Sequence, residues 1–268
     1  MKDTVKSLLS RHGIDHFGVI PISECKTVYS HLMPGGVKTA VVFDVPYRCG
    51  DLEMSKDGFS EYARIYDYHK YFENLFDSLC PELERLTGER FYGFADRSPI
   101  DEKYAAARCG LGVLGKNTLF IDKIYGSFVF IASILTSAEL EHKLTDISTC
   151  NACNICLDAC HTGAISDDGI NRDKCLSAVS QKKKKSNEEL FMLREAGIVW
   201  GCDICQNVCP YNKAAKVAPV TYFSESRKGS ITKEFIENLD EGEFNKYAFA
   251  YKGKKIVLEN IENIQCVT

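Results

Sequence analysis

Along the first 145 residues, short β-rich apolar runs alternate with stretches whose apolar positions repeat at helical spacing, the pattern of helices packed on a sheet. The runs Phe17–Ile20, Thr39–Val45, Arg90–Ala95, Thr118–Asp122 and Ser127–Leu135 predict strands. Between the second and third, Tyr62, Ile65, Tyr66, His69, Phe72, Leu75, Phe76 and Leu79 recur with a helical period. This stripe predicts one long helix from about Ser60 to Leu86, its apolar face in the core. Ser98-Pro99-Ile100-Asp101 predicts another helix start, with Ser98 as N-cap, Pro99 at the first helical position and Asp101 as the acidic residue of the first turn. That helix should run to Cys109 and stop at Gly110.

From Ser148 to about Tyr211 the pattern changes to cysteine-rich turns, interrupted by the polar run Gln181-Lys-Lys-Lys-Lys-Ser-Asn187, and a charged, partly helical segment follows over Phe244–Ile264. The expected organisation is an α/β domain over 1–145, a cysteine-rich module over 146–215 and a partly helical tail over 216–268. No internal repeat is visible apart from two half-motifs of cysteines.

Composition narrows the class. With 45% hydrophobic and 26% charged residues, the chain reads as ordinary globular protein. It has no apolar run long enough to span a membrane and no apolar leader, so a cytoplasmic protein without membrane contact is expected. A net charge of −4 argues against a surface that grips nucleic acid all over, while leaving room for a local basic patch. Thirteen cysteines, bunched in short-spaced motifs within a large chain, point to metal rather than disulfides.

Cys150-x2-Cys153-x2-Cys156-x3-Cys160 has the spacing of ferredoxins with two clusters, and it recurs in modified form as Cys202-x2-Cys205-x3-Cys209-Pro210. In such runs three thiolates wrap one cubane and the fourth reaches the other. One [4Fe–4S] cluster is thereby assigned to Cys150, Cys153, Cys156 and Cys209. The other takes Cys160, Cys202, Cys205 and, by elimination, Cys175, which is the remaining cysteine of the module. Two four-cysteine zinc sites are the alternative, but a close three-cysteine run matches the two-plus-two zinc spacing poorly. The lone cysteines Cys25, Cys49, Cys80, Cys109 and Cys266 are read as small buried hydrophobes without a role.

Gly110-Leu-Gly112-Val-Leu-Gly115 fits a dinucleotide fingerprint, and Gly110 to Lys116 comes within one residue of a phosphate-binding loop. Context rejects both. The glycines follow a helix and run into a strand, the reverse of a dinucleotide site, and Asn117 stands where a phosphate loop needs Ser or Thr. What remains is a glycine-rich turn, Gly112 and Gly115 included, that can approach a large cofactor closely.

Asp96-Arg-Ser-Pro-Ile-Asp-Glu102, Ala107-Arg-Cys-Gly-Leu-Gly-Val-Leu-Gly-Lys-Asn-Thr118, Gly126-Ser-Phe-Val-Phe-Ile131, Tyr62-Ala-Arg-Ile-Tyr-Asp-Tyr-His69 and the double cluster together resemble the epoxyqueuosine reductase family, in the same order over roughly residues 1–215. The resemblance implies an α+β chain, with a mixed-sheet, flavin-reductase-like domain that binds cobalamin and then a bacterial-ferredoxin-like module with two [4Fe–4S] clusters. It implies a reductase that removes the epoxide oxygen from epoxyqueuosine in tRNA, fed by a reduced donor such as flavodoxin or ferredoxin. Asp96 matches the family's proposed proton donor, and Tyr62, His69, Lys116 and Asn117 are candidates for lining the corrin site. Asp96 as a plain turn or capping residue is the competing reading.

Opening an epoxide needs two electrons and an acid, while each cluster passes one electron at a time. Two clusters feeding a cobalt centre, with Asp96 as the acid, supply that combination. An Asp96 that is protonated near neutral pH has to be buried strongly enough to overcome the nearby helix N-terminus. Many members of the family continue into a long helical-repeat region that helps hold tRNA; here 59 residues follow Cys209 and resemble only the opening of that region. Two other readings stay open: a corrinoid-dependent reductase of a small molecule, reductive-dehalogenase-like, and a ferredoxin-like electron carrier with no substrate of its own.

Overall fold

The computed structural model describes residues 1–50, 56–150, 153–217 and 220–265. Its contacts divide into two compact units, one of residues 1–46, 68–115 and 119–151, the other of 47–67, 116–118 and 152–268.

The first unit begins with helix α1 (Lys2–Arg11), strand β1 (Phe17–Pro21) and strand β2 (Thr39–Pro46). Helix α2 (Tyr68–Thr87), strand β3 (Phe91–Ala95) and helix α3 (Glu102–Arg108) follow. A short hairpin of β4 (Gly112–Leu114) and β5 (Phe120–Asp122) then leads to β6 (Val129–Thr136). Four strands form one sheet in the order β1-β2-β6-β3.

Every ladder of that sheet is antiparallel, so the expected mixed sheet is corrected. Strand direction depends on how the connections return, which the composition of a strand does not encode. The strands lie where the apolar runs place them, with the fourth run shortened to β5.

Strand β2 is buried at all eight positions because both faces of the sheet are covered. The register puts Ile20, Ala40 and Leu135 on one face, where Ala105 and Ala106 of α3 pack against them. Gly93 and Ile134 lie on the other face. A methyl group on Gly93 would fall 2.2 Å from the Phe76 ring, so the glycine lets α2 lie directly on β3.

Two expectations about helices are corrected. Residues Glu61–Arg64 form a single 3-10 turn and α2 begins only at Tyr68. Tyr62, Ala63 and Tyr66 belong to the second unit, packed with Phe59, Trp200, Tyr247 and Phe249. A helical period in the sequence is thus shared between two cores. Helix α3 is capped by Asp101, whose side chain accepts from the Tyr104 amide, rather than by Ser98. Residues before it are held extended, since Ile100 bridges Thr27 and the Asp101 amide donates to Lys26.

The second unit is a set of short helices around Trp200. Helices Leu176–Ser180 and Asn187–Glu195 pack through Leu176, Val179 and Leu193. The helix Lys254–Gln265 contributes Val257 and Ile261 to the Trp200 core, and its buried Asn260 donates to the carbonyls of Ser180 and Val199, both at 2.8 Å. Among the described residues no helix is long and apolar enough to cross a membrane.

Candidate active site

A cavity of about 410 Å³ opens in the first unit beside the end of β3. Its walls include Tyr68, Asp96, Glu102 and Phe130, with Val28 and Tyr29 at the edge. Tyr68, the first residue of α2, lies flat on Phe130 of β6 with ring centroids 4.1 Å apart, and His69 stacks on Tyr68 at the same distance. Asp96 follows β3 directly and takes a left-handed backbone, φ 65°, which an aspartate tolerates better than most residues. Its carboxylate Oδ2 lies 3.4 Å from Nε2 of His69.

The Asp96 side chain is 63% exposed. Hydrogen bonding to His69 outweighs what burial there is, and the Tyr68 side chain adds to it, so the carboxyl is held below the usual range. Without further cover, Asp96 is an anion at neutral pH. Burial opposes ionisation at Glu102 instead. That carboxyl accepts from the Ser133 hydroxyl at 2.8 Å, Ser133 lies 3.1 Å from the Ser98 hydroxyl, and burial pushes Glu102 up to about 8. Glu102 sits inside a motif singled out in the sequence, yet it reads there as one more polar residue of a helix start. Only the inward turn towards Ser133 reveals it.

The remaining candidates fall in other places. Gly112 lies in β4, where a methyl group would meet the Ile121 carbonyl at 2.2 Å; its bare backbone accommodates the neighbouring strand. The amide of Gly115 donates to Leu119, closing the hairpin. In the second unit, Lys116 pairs with Asp167 at 2.6 Å and Asn154 at 2.7 Å, while the Asn117 side chain hydrogen-bonds the Cys205 sulfur. Tyr62 accepts from Gln181 at 3.2 Å and lies against Gly201.

Within the second unit, Cys156 and Cys205 each sit in a single helical turn, Ile155–Asp158 and Ile204–Asn207. Cys202 feels the charges of Cys175 and Cys160, and Cys205 those of Cys202 and Cys175, so Cys175, the one cysteine chosen by elimination, lies within electrostatic reach of Cys202 and Cys205. Burial pushes the Cys202 thiol up to about 12 and raises Cys205 as well. Cys160 differs: burial opposes its ionisation, yet the Ala164 amide at 3.3 Å and the Thr162 hydroxyl hold it low. Cysteines that lie elsewhere stay neutral, since burial lifts Cys25, Cys80 and Cys109 to about 12 and Cys49 to about 11. Cys266 lies outside the described residues.

The model of a 4Fe-4S double cluster binding domain matches residues 149–212. The chain is 34% identical over 163 residues to the epoxyqueuosine reductase of Lactococcus garvieae, covering 60% of this chain and 46% of that one. To the epoxyqueuosine reductase of Gloeobacter violaceus it is 30% identical over 223 residues, covering 80% of this chain and 70% of the relative. The chain belongs to the epoxyqueuosine reductase family. Its match spans about half the length of several other curated members, 54% to 55% of those from Francisella and Leadbetterella. Among solved structures, an epoxyqueuosine reductase crystallised with an epoxyqueuosine-modified tRNA stem loop shares the fold of this family member with a TM-score of 0.82 at 22% identity, over 98% of this chain and 80% of that one. A reductive dehalogenase described in terms of B12-dependent dehalogenation shares the fold more distantly, with a TM-score of 0.55 at 13% identity, over 99% of this chain and 36% of the other.

Proposed function

We propose that this chain is a cobalamin- and iron–sulfur-dependent reductase that converts epoxyqueuosine to queuosine in tRNA. The observation that carries the reading is the cavity on which Asp96, paired with His69, and Glu102, hydrogen-bonded by Ser133, both face, in a chain of this family.

The residues present fit both cofactors. Val28 and Tyr29 expose 53% and 42% of their surface at the cavity edge, and the Tyr68–Phe130 stack offers an aromatic wall, surfaces suited to a flat macrocycle. Cys160, Cys175, Cys202 and Cys205 suit one cubane, with amide and side-chain donors on their sulfurs. Cys150, Cys153, Cys156 and Cys209 are assigned to the other by spacing. The raised thiols must lose their protons as iron binds. When bound, the corrin cobalt fed by the clusters would supply the two-electron reduction that the side chains cannot.

The side chains handle protons. Deoxygenation of an epoxide to an alkene consumes two electrons and two protons and releases water. Oxygen leaving carbon gathers negative charge, and an acid within hydrogen-bond reach lowers that barrier. Glu102 holds one proton at the cavity wall, while Asp96 meets the oxygen and draws its proton along the contact with His69. The first unit, by this reading, is the flavin-reductase-like domain, and a reduced flavodoxin or ferredoxin is the donor.

The test is an assay with tRNA carrying epoxyqueuosine, a strong chemical reductant and added cobalamin. Formation of queuosine is the expected result. Tight cobalamin binding without queuosine would favour the corrinoid reductase of a small molecule, in line with the dehalogenase-like fold. No cobalamin binding at all would leave an electron carrier.

A further inference from the structure

Three ligating side chains converge at a second place in the first unit. The β1–β2 ladder pairs Phe17 with Phe43, so His16 stands opposite Asp44 one step beyond it, and Asp122 ends β5. One donor atom from each of the three lies within 4.8 Å of the other two, and His16 Nδ1 is 3.6 Å from Asp122 Oδ2. Asp44 and Asp122 are 8% and 2% exposed, while His16 is open to solvent.

The Asp122 carboxylate is fixed by its neighbours, and each of the two carboxylates keeps one buried oxygen without a hydrogen bond. Asp122 Oδ1 accepts from the amides of Ile124 and Tyr125, both at 2.7 Å, which sets the plane of the group and turns Oδ2 towards His16. The Oδ2 of Asp44 is buried without a hydrogen-bond partner, and the equally buried Oδ2 of Asp122 has only the 3.6 Å approach of His16. The neighbouring Lys123 directs its ammonium to the Gly110 carbonyl at 2.7 Å instead. Buried carboxylates side by side are costly unless a positive charge joins them.

We propose that His16, Asp44 and Asp122 bind a divalent first-row transition-metal cation through one imidazole nitrogen and two carboxylate oxygens, with water completing the shell on the exposed side of His16. A mixed nitrogen and oxygen set favours manganese, iron or zinc over magnesium and calcium, which prefer oxygen alone. Tetrahedral ligands at about 2.0–2.2 Å from a metal stand roughly 3.3–3.6 Å apart. The spacing of His16 and Asp122 already meets that. The amides on Asp122 Oδ1 play the orienting part that ligating carboxylates receive in metal sites.

Mn2+ is the probe of choice because thiolates of the cluster module compete poorly for it. The full chain, with its clusters assembled anaerobically, is titrated with Mn2+ while the spectrum of the free ion is followed by electron paramagnetic resonance. One Mn2+ per chain should be taken up, displaced by Zn2+ but not by equal Mg2+, and the melting temperature should rise with it. Asp44→Asn and Asp122→Asn should abolish uptake, and His16→Gln, an exposed change that leaves the core intact, should weaken it about 10-fold or more. Uptake undiminished in His16→Gln, or no uptake of Mn2+ or Zn2+ by the unaltered chain, overturns the proposal. In the latter case, a higher melting temperature for Asp44→Asn would mark a carboxyl pair sharing a proton instead.

Discussion

Nε2 of His69 stands 3.4 Å from Oδ2 of Asp96, joining the second residue of α2 to the residue that follows β3. This contact, more than burial, sets the charge of Asp96. Asp96→Asn keeps the shape and removes the acid–base group. It should retain iron and bound cobalamin while losing about 10²–10⁴-fold in epoxide reduction. Iron content, the visible spectrum and single-turnover rates check this. Near-normal turnover would remove Asp96 from the chemistry, and lost cobalamin would make it a pocket residue.

Glu102 imposes a pH dependence on folding. Its carboxyl, ordinarily near 4.5, is pushed to about 8, so between these values the folded chain keeps a proton that the unfolded chain has lost. Stability therefore falls as pH rises through this window and levels off above it. Asp44, raised to about 7 by burial and by Asp122, adds a fall of the same sign that ends earlier. Glu102→Gln should flatten the fall of melting temperature between about pH 7 and 8 and leave an earlier part due to Asp44. An unchanged profile would show that Glu102 titrates as an ordinary surface carboxyl.

Two cubanes require about eight iron atoms per chain. Cys175→Ser should lower the count to about four by removing or converting the cluster shared with Cys160, Cys202 and Cys205. The first cluster should persist, because none of its assigned ligands changes. Iron analysis with electron paramagnetic resonance of the reduced protein decides it; an unchanged count would exclude Cys175 as a ligand.

In the lysine run, Lys182 is committed to Glu189 at 2.6 Å and Asp173 at 3.1 Å, and Lys185 donates to the Lys182 carbonyl at 2.7 Å. Lys183 and Lys184 are exposed. Replacing Lys183 and Lys184 by Ser should reduce the salt dependence of tRNA binding by a slope of about 1–2. Lys182→Ser should chiefly lower stability, since it loosens the capping box of Ser186 and Glu189. An unchanged slope in the double variant would mark the run as a solvated loop.

Much of this protein was legible in one dimension. Short β-rich apolar runs located all four strands of the main sheet, because β-branched and aromatic side chains suit a pleated, buried strand wherever they cluster. Cysteine spacing offered seven candidate ligands, and elimination added Cys175 as the eighth, because a cubane constrains how far apart its thiolates stand along a loop. The helix expected before the glycines is α3, and Gly112 itself lies in β4.

Other features required the chain to be folded. Tyr62 and Tyr66 share a helical period with Phe72 and Leu79, yet they enter the Trp200 core and α2 starts after them. Periodicity says that a face is buried and not which surface buries it. Ser98 looks like a helix cap until the hydroxyl of Ser133, 35 residues on, is placed beside it. Glu102, and the His16, Asp44 and Asp122 cluster, acquire their character from desolvation and from neighbours distant in the chain. A carboxylate's chemistry depends on the dielectric and charges around it, and these come into being only when the sheet, the hairpin and α3 close over one another.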